Sequence, residues 1–190
     1  MNLEGNTPFR AQPLVTAYVS IGSNIDAESN VQKALQEIAK QVPVTAISTL
    51  YQTQFLKPDG TVSAKTTDLF VNGVFAVETV LSPHDFREHV LRRVEISMGR
   101  LRNSQRFDAR KIDLDLVLYG TLVLDEANLR IPRIDIRTRD FVAIPLLEIA
   151  PQLVLPDTHE RLDAIVPNTV NTNMQPLIEL TNRVRKDILR

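Results

Sequence analysis

The run Lys111-Ile112-Asp113-Leu114-Asp115-Leu116-Val117-Leu118-Tyr119-Gly120 constrains this chain more than any other stretch. Acidic and branched apolar residues alternate in it, and side chains two apart on a β-strand share a face. The alternation predicts a strand with Ile112, Leu114 and Leu116 toward a core and Asp113 and Asp115 side by side at its start. Apolar residues on both sides put this strand inside a sheet, where aspartate is disfavoured. Two neighbouring carboxylates repel each other unless a cation sits between them. Magnesium takes oxygen ligands and is commonly held by one or two carboxylates together with substrate phosphates. The pair therefore reads as a magnesium–polyphosphate site in preference to solvated strand-edge residues or partners for nearby arginines.

The chain is long and apolar enough for one globular domain with a real core, at 190 residues and 43% hydrophobic content. A net charge of −1 gives no global field toward nucleic acid or a membrane. The local distribution is less even: of 22 Lys and Arg, eight fall within 87–111 and four within 130–139. Arg100, Arg102, Arg106 and Arg110 precede the acidic strand, among the loop formers Asn103, Ser104, Gln105 and Asp108. Arginine's planar fork matches phosphate oxygens, and a mobile arginine loop suits charge stabilisation on a transferring phosphoryl group. RNA phosphates would use the same residues, but no aromatic platform is interleaved with them, so no nucleic-acid partner is expected. Zero cysteines exclude disulfides, thiolate catalysis and Cys-ligated zinc. No apolar run is long enough to span a bilayer and residues 1–14 lack a secretory stretch, so a cytoplasmic location is expected.

The order of elements predicts an α+β fold. Residues 1–13 read as a loose arm, 14–160 as the main domain, and 161–190 as a C-terminal extension ending in an amphipathic helix. Within the domain, strands are expected at 14–21, 44–53 and 68–80 and in the acidic segment. Gly22-Ser23-Asn24 is read as the end of the first strand and Asn72-Gly73 as a bulge. A helix is expected over 30–41, with Ser29 and Gln32 as a capping box and Val31, Leu35, Ile38 and Val42 on one face. A second helix opens at Ser82-Pro83, buries Phe86, Val90, Val94 and Met98, and stops at Gly99. The β-α-β-β-α-β order is that of a ferredoxin-like sandwich. Beyond it come a strand-like piece at 122–124, a loop through Pro132 and a helix over 142–149.

Several motifs in order resemble one family. Glu95-x3-Gly99-Arg100, then Arg110-Lys111 leading into the acidic strand, is similar to 6-hydroxymethyl-7,8-dihydropterin pyrophosphokinase. The resemblance extends to residues 17–24 (AYVSIGSN), to Phe70-Val71-Asn72-Gly73, and to Arg139-x-Phe141-Val142-x2-Pro145-Leu146-x-Glu148-Ile149-Ala150-Pro151. It covers about Ala17 to Pro156. It implies transfer of diphosphate from ATP to the hydroxymethyl group of a dihydropterin, with two magnesium ions held by Asp113 and Asp115. It also implies Arg100 and Arg110 near the β-phosphate, Phe70 and Phe141 sandwiching the pterin, and Asn72 and Thr53 on the pterin's polar edge. Phe107 would be a lid aromatic, and Glu95, Arg102 and Arg139 nucleotide-side contacts. A monomer or homodimer is expected.

The departures from the family gather on the ATP side. After Ile131-Pro132 the family normally has histidine and then an aromatic or proline, where this chain has Arg133-Ile134. Asn128 stands where some members carry arginine, Gln54-Phe55 follow Thr53 in place of prolines, and Asp108-Ala109 replace a Gly-Pro. Two outcomes stay open at this point. Arg133 takes over as a nucleotide phosphate contact, or the chain is a weakened paralogue with a pterin-binding or regulatory role.

Overall fold

The computed structural model describes residues 13–54, 69–99, 111–166 and 174–189. Its centre is β1 (Val15–Ser23), whose alternate residues are buried because both neighbours are in place: β4 (Leu69–Thr79) on one side and the acidic strand β5 (Asp113–Tyr119) on the other. With β2 (Val44–Ile47) and β3 (Tyr51–Gln54) both on the far edge of β4 and β8 (Gln175–Pro176) beyond β3, the sheet runs β5-β1-β4-β3-β8 and every pairing is antiparallel. This is the α+β, ferredoxin-like arrangement expected from the element order.

One sheet face is apolar by strand periodicity: Val19, Ile21, Val71, Phe75, Leu114 and Leu116 all point into a single core. Helix α1 (Ala27–Ala39) covers it with Val31, Leu35 and Ile38. The second helical stretch covers it with Phe86, Val90 and Val94 and is built of three turns: α2 (Pro83–Asp85), a π-helical segment Phe86–Leu91 and α3 (Arg92–Ser97). Ser82 caps it, its hydroxyl accepting from the Asp85 N–H at 3.1 Å, and Gly99 ends it at φ +91°. Each fully buried Leu, Ile or Phe in this layer stabilises the fold by roughly 1.5–3 kcal/mol.

The opposite face carries a second, smaller core of Val74, Val117 and Leu118 under Ile136 of α4 (Asp135–Thr138) and Val142 and Leu146 of α5 (Asp140–Ile149). This layer covers only part of the sheet. A short hairpin, β6 (Leu124–Glu126) with β7 (Leu129–Ile131), stands where the sequence predicts a single strand-like piece and a loop, and its Leu129 and Ile131 are buried in the first core.

The structure corrects four local expectations. First, α1 begins at Ala27, and Ser29 and Gln32 form no capping box because both lie within the helix. Asp26 enters the helix at φ 41°, while the Asn30 amide donates to the Ile25 carbonyl at 2.6 Å. Second, β1 does not end at Ile21; Gly22 and Ser23 continue its pairing with β4. Third, the strand expected over 44–53 is two strands. Between them the Ser48 hydroxyl accepts from the Val74 N–H at 2.9 Å, and the Leu50 N–H leaves the sheet for the Thr181 hydroxyl at 2.9 Å. Fourth, Asn72-Gly73 is no bulge toward β1, whose register runs through both residues unbroken. Glycine is needed at 73 because a Cβ there would lie 2.7 Å from the buried Leu50 side chain, inside the step between β2 and β3.

The C-terminal segment joins this core. β8 (Gln175–Pro176) pairs with β3, a sheet-edge position that tolerates proline, and α7 (Ile178–Ile188) lies along α1. Gln32 donates to Asp187 at 2.9 Å, and Leu180 and Val184 are buried in the first core. Among the described residues no helix is long and apolar enough to cross a membrane. If α7 is part of the core, Leu180→Ala lowers the urea-unfolding free energy by about 2–5 kcal/mol. Exposed Ile178→Ala, on the same helix, changes it by about 0.5 kcal/mol or less. Equal effects would contradict this packing.

Candidate functional site

The register of four strands builds the site. Asp113 pairs with Gly22, Gly22 with Asn72, and Asn72 with Tyr51, so one row of residues crosses β5, β1, β4 and β3. Asp115 pairs with Ser20 one step along. Strands in a sheet lie about 4.8 Å apart, so Asp113 and Asn72 stand on the order of 10 Å from each other on one face. Leu114, between the two aspartates, points through the sheet into the first core, as the alternation predicted.

The acidic strand is held from behind. Glu95 of α3 is buried, and its carboxylate accepts the Leu114 N–H at 2.9 Å. β5 is the edge of the sheet, so this bond occupies a backbone donor that no strand pairs. Sequence comparison made Glu95 a nucleotide-side contact; in the structure its carboxylate is bonded to the backbone of the acidic strand.

Arg133 approaches the same strand from the opposite side. Its backbone N–H donates to the Val117 carbonyl at 2.9 Å, fixing its Cα beside β5. The guanidinium then spans two carboxylates, with Nη1 3.2 Å from Asp115 Oδ1 and Nε 2.9 Å from Asp135 Oδ2. Burial opposes charge on this guanidinium, but the carboxylates of Asp115, Asp135 and Asp113 outweigh it and hold its pKa above the ordinary value. Arg139 lies on the outer side of Asp135, Nε 4.0 Å from Oδ1, while Ile134 is exposed.

The far end of the row is a polar edge flanked by aromatics. The Asn72 amide donates to the Thr53 hydroxyl at 2.7 Å, both residues buried. Phe70 faces Thr53 across the β3–β4 pair and is half-buried. Phe141 sits at the start of α5, also half-buried, packed against the second core. Gly22 is required by close approach: a Cβ there would come within 2.8 Å of Asn72 Oδ1.

Glu148 clamps α5 to β3. One carboxylate oxygen accepts the Thr49 N–H at 2.7 Å and the other accepts the Tyr51 hydroxyl. The helix carrying Phe141 and the strand carrying Thr53 are thereby tied together. The sequence placed Glu148 in a motif but gave it no task, and Gly22 was read as a turn residue. Asp135 was not singled out, since an aspartate opening a short helix has many ordinary uses.

Of the expected site residues, Thr53, Phe70, Asn72, Asp113, Asp115, Arg133, Arg139 and Phe141 thus lie on or border one sheet face. Arg100, Arg102, Arg106, Phe107 and Arg110 lie outside the described residues. Among the described residues no group of three or more His, Asp or Glu side chains gathers as a metal-binding cluster. Two carboxylates offering hard oxygen donors on a partly exposed face fit magnesium, provided phosphates and water complete its shell.

Comparison with known proteins shows the family. Residues 18–151 match the family model described as 7,8-dihydro-6-hydroxymethylpterin-pyrophosphokinase. The 2-amino-4-hydroxy-6-hydroxymethyldihydropteridine pyrophosphokinase of Haemophilus influenzae is 35% identical over 149 residues, 76% of this chain and 88% of that protein. The enzyme of the same name from Pseudomonas aeruginosa is 36% identical over 143 residues, 74% of this chain and 83% of that one. Among solved structures, a Plasmodium falciparum HPPK-DHPS superposes with a TM-score of 0.60 at 12% identity, over 94% of this chain. The chain spans less than half of that larger protein, 45% of its length, and the likeness is one of fold.

The Glu148 clamp has a pH signature. Burial, the hydrogen bond to Glu148 and that carboxylate's charge push the Tyr51 phenol up to about 12, against smaller opposing effects of Thr49 and Arg185. The unfolded chain releases this proton near 10. Between those values the folded state binds more protons, so the clamp's contribution is complete below pH of about 10 and is lost as pH rises toward about 12. Burial also raises Tyr18 and Tyr119. Ultraviolet titration of the folded protein should therefore show all three phenols ionising late, with the last component absent in Tyr51→Phe. Ionisation of all three near pH 10 would contradict the clamp.

Proposed function

Because the chain belongs to the 7,8-dihydro-6-hydroxymethylpterin-pyrophosphokinase family, we propose that the face built by β5, β1 and β4 carries diphosphate transfer from ATP to the hydroxymethyl group of 6-hydroxymethyl-7,8-dihydropterin, assisted by two magnesium ions at Asp113 and Asp115. The activity class, a diphosphotransferase of folate biosynthesis that uses ATP and a pterin, follows from that membership. The observation that carries the finer reading is the single row Asp113–Gly22–Asn72. It sets a phosphate-side acidic pair and a polar edge on one surface, at a separation of about 10 Å, which suits a fused two-ring heterocycle with its hydroxymethyl arm.

The flat ring lies between Phe70 and Phe141, where aromatic faces favour a planar heterocycle. Asn72 and Thr53 meet its amide-like edge, and their mutual hydrogen bond orients both for that task. The hydroxymethyl oxygen then points toward β5. That oxygen attacks the β-phosphorus of ATP in line, the bond to the α,β-bridging oxygen breaks with its electron pair leaving on AMP, and the hydroxyl proton passes to solvent. Bound magnesium supplies charge neutralisation of the phosphate oxygens and orientation of the displacement. Glu95 keeps the acidic strand in place through Leu114, and Arg133 and Arg139 supply positive charge beside it. Arg100 and Arg110 are assigned to the β-phosphate and Phe107 to a lid over the pterin. Arg102 is assigned to the nucleotide side.

A weakened, purely pterin-binding paralogue is not favoured. The curated relatives at 35% and 36% identity are named as pyrophosphokinases, and the polar edge and acidic pair share one surface here.

Purified protein given ATP, magnesium and 6-hydroxymethyl-7,8-dihydropterin should release AMP in step with diphosphorylated pterin. Asp115→Ala should lower kcat by about 10²-fold or more with the fold intact by circular dichroism. No AMP from the unaltered chain would refute the reading. At the other end of the row, Gly22→Ala should displace Asn72 from Thr53 and weaken pterin binding about tenfold, with little change for nucleotide. Fluorescence titration with the pterin checks this, and unchanged pterin affinity would remove Asn72 from the recognition edge.

A further inference from the structure

We propose that Arg133 is a tethered counter-ion that competes with divalent metal for Asp115, and so sets how tightly the acidic pair binds metal before nucleotide arrives. The inference rests on the reading of Asp113 and Asp115 as the metal pair.

Three observations carry it. Arg133 Nη1 lies 3.2 Å from Asp115 Oδ1, so the guanidinium occupies a carboxylate oxygen that a metal could use. The residue cannot drift away, because its backbone N–H is bonded to the Val117 carbonyl and its Nε to Asp135 at 2.9 Å. Yet the side chain is one-third exposed, at 33%, so the guanidinium is not locked in by packing. Rotation about the aliphatic bonds of the side chain can therefore swing the guanidinium as a unit off Asp115, while the backbone bond to Val117 keeps the residue beside β5.

Charge gives the competition its direction. Asp113, Asp115 and Asp135 face the guanidinium, and Arg139 stands behind Asp135. A divalent ion entering at Asp115 meets a fixed positive charge within a few ångströms, in a region where charges are only partly screened. Arginine cannot relieve that repulsion by losing a proton, because it stays charged at all working pH values. It has to move. Nucleotide phosphates change the balance, since they offer the displaced fork a planar array of acceptors next to its tether. Metal and polyphosphate are thus favoured together over metal alone. A neutral side chain at this position would remove the discrimination.

The test is titration of Mn²⁺ into the full chain without nucleotide, following free Mn²⁺ by electron paramagnetic resonance. Arg133→Met keeps the apolar stem and Arg133→Gln keeps polarity, so the two together separate loss of charge from loss of packing. Both variants should bind Mn²⁺ about tenfold more tightly than the unaltered chain. The gain should vanish when Asp115→Ala is added. With a non-hydrolysable ATP analogue present, the advantage of the variants should shrink or reverse. Nucleotide-free affinity in both variants equal to or weaker than that of the unaltered chain would overturn the proposal. That result together with AMP release by the unaltered chain would leave diphosphate transfer standing and sink only the counter-ion. Tighter Mn²⁺ binding without any AMP release would do the opposite.

Discussion

Everything at the site depends on the register of β1 against its two neighbours. β1 contributes almost no functional side chain, yet Gly22 is the residue through which Asp113 and Asn72 come to share a row. Side chains alternate with a period of two, so a slip of one residue between β1 and β5 would turn the aspartates into the first core and Leu114 and Leu116 out of it. The apolar face enforces the register strongly, because Val19, Ile21, Leu114 and Leu116 are all essentially buried. The polar face needs no specificity of its own. Burial on one side of the sheet determines the chemistry on the other.

That division explains why the two faces are built differently. The first core is continuous and involves α1, the Pro83–Ser97 stretch and α7, whereas the second is confined to one end of the sheet under α4 and α5. The polar row runs beside that second core, from the partly exposed Asp113 to the buried Asn72 and Thr53. Two carboxylates brace it at its ends: Glu95 bonded to Leu114 behind the acidic pair, and Glu148 bonded to Thr49 and Tyr51 between α5 and β3. Both braces join carboxylates to elements distant in sequence. They hold a partly open surface that lacks the packing of a closed core.

The sequence made the sheet's two-faced character legible because strand periodicity is a local signal. Leu114 inward and Asp113 outward could be read from four letters, and the buried stripe of α1 from the spacing of Val31, Leu35 and Ile38. The family resemblance then named most residues of the row. What stayed hidden was non-local. The break between β2 and β3 depends on Ser48 meeting Val74 and on Leu50 meeting both Gly73 and Thr181, one of them 131 positions away. The same holds for Glu95, whose carboxylate acts on the backbone of β5, and for Gly22, whose lack of a Cβ matters only once Asn72 is opposite. A glycine before Ser-Asn looks like a turn until the partner strand is known.

Arg133 marks the point where this chain's electrostatics depart from what its fold alone dictates. A histidine at that position would be a weak, switchable charge beside the acidic strand; arginine is a permanent one, anchored at the backbone and at Asp135. It alters the resting state of the acidic pair, because Asp115 carries a bonded cation before any ligand binds. Two carboxylates brought to one face by strand pairing need positive charge from somewhere. Here part of it comes from a residue that the ligand's own phosphates can draw away, which couples the order in which charges assemble at the site to the side chain that sits two residues past Ile131.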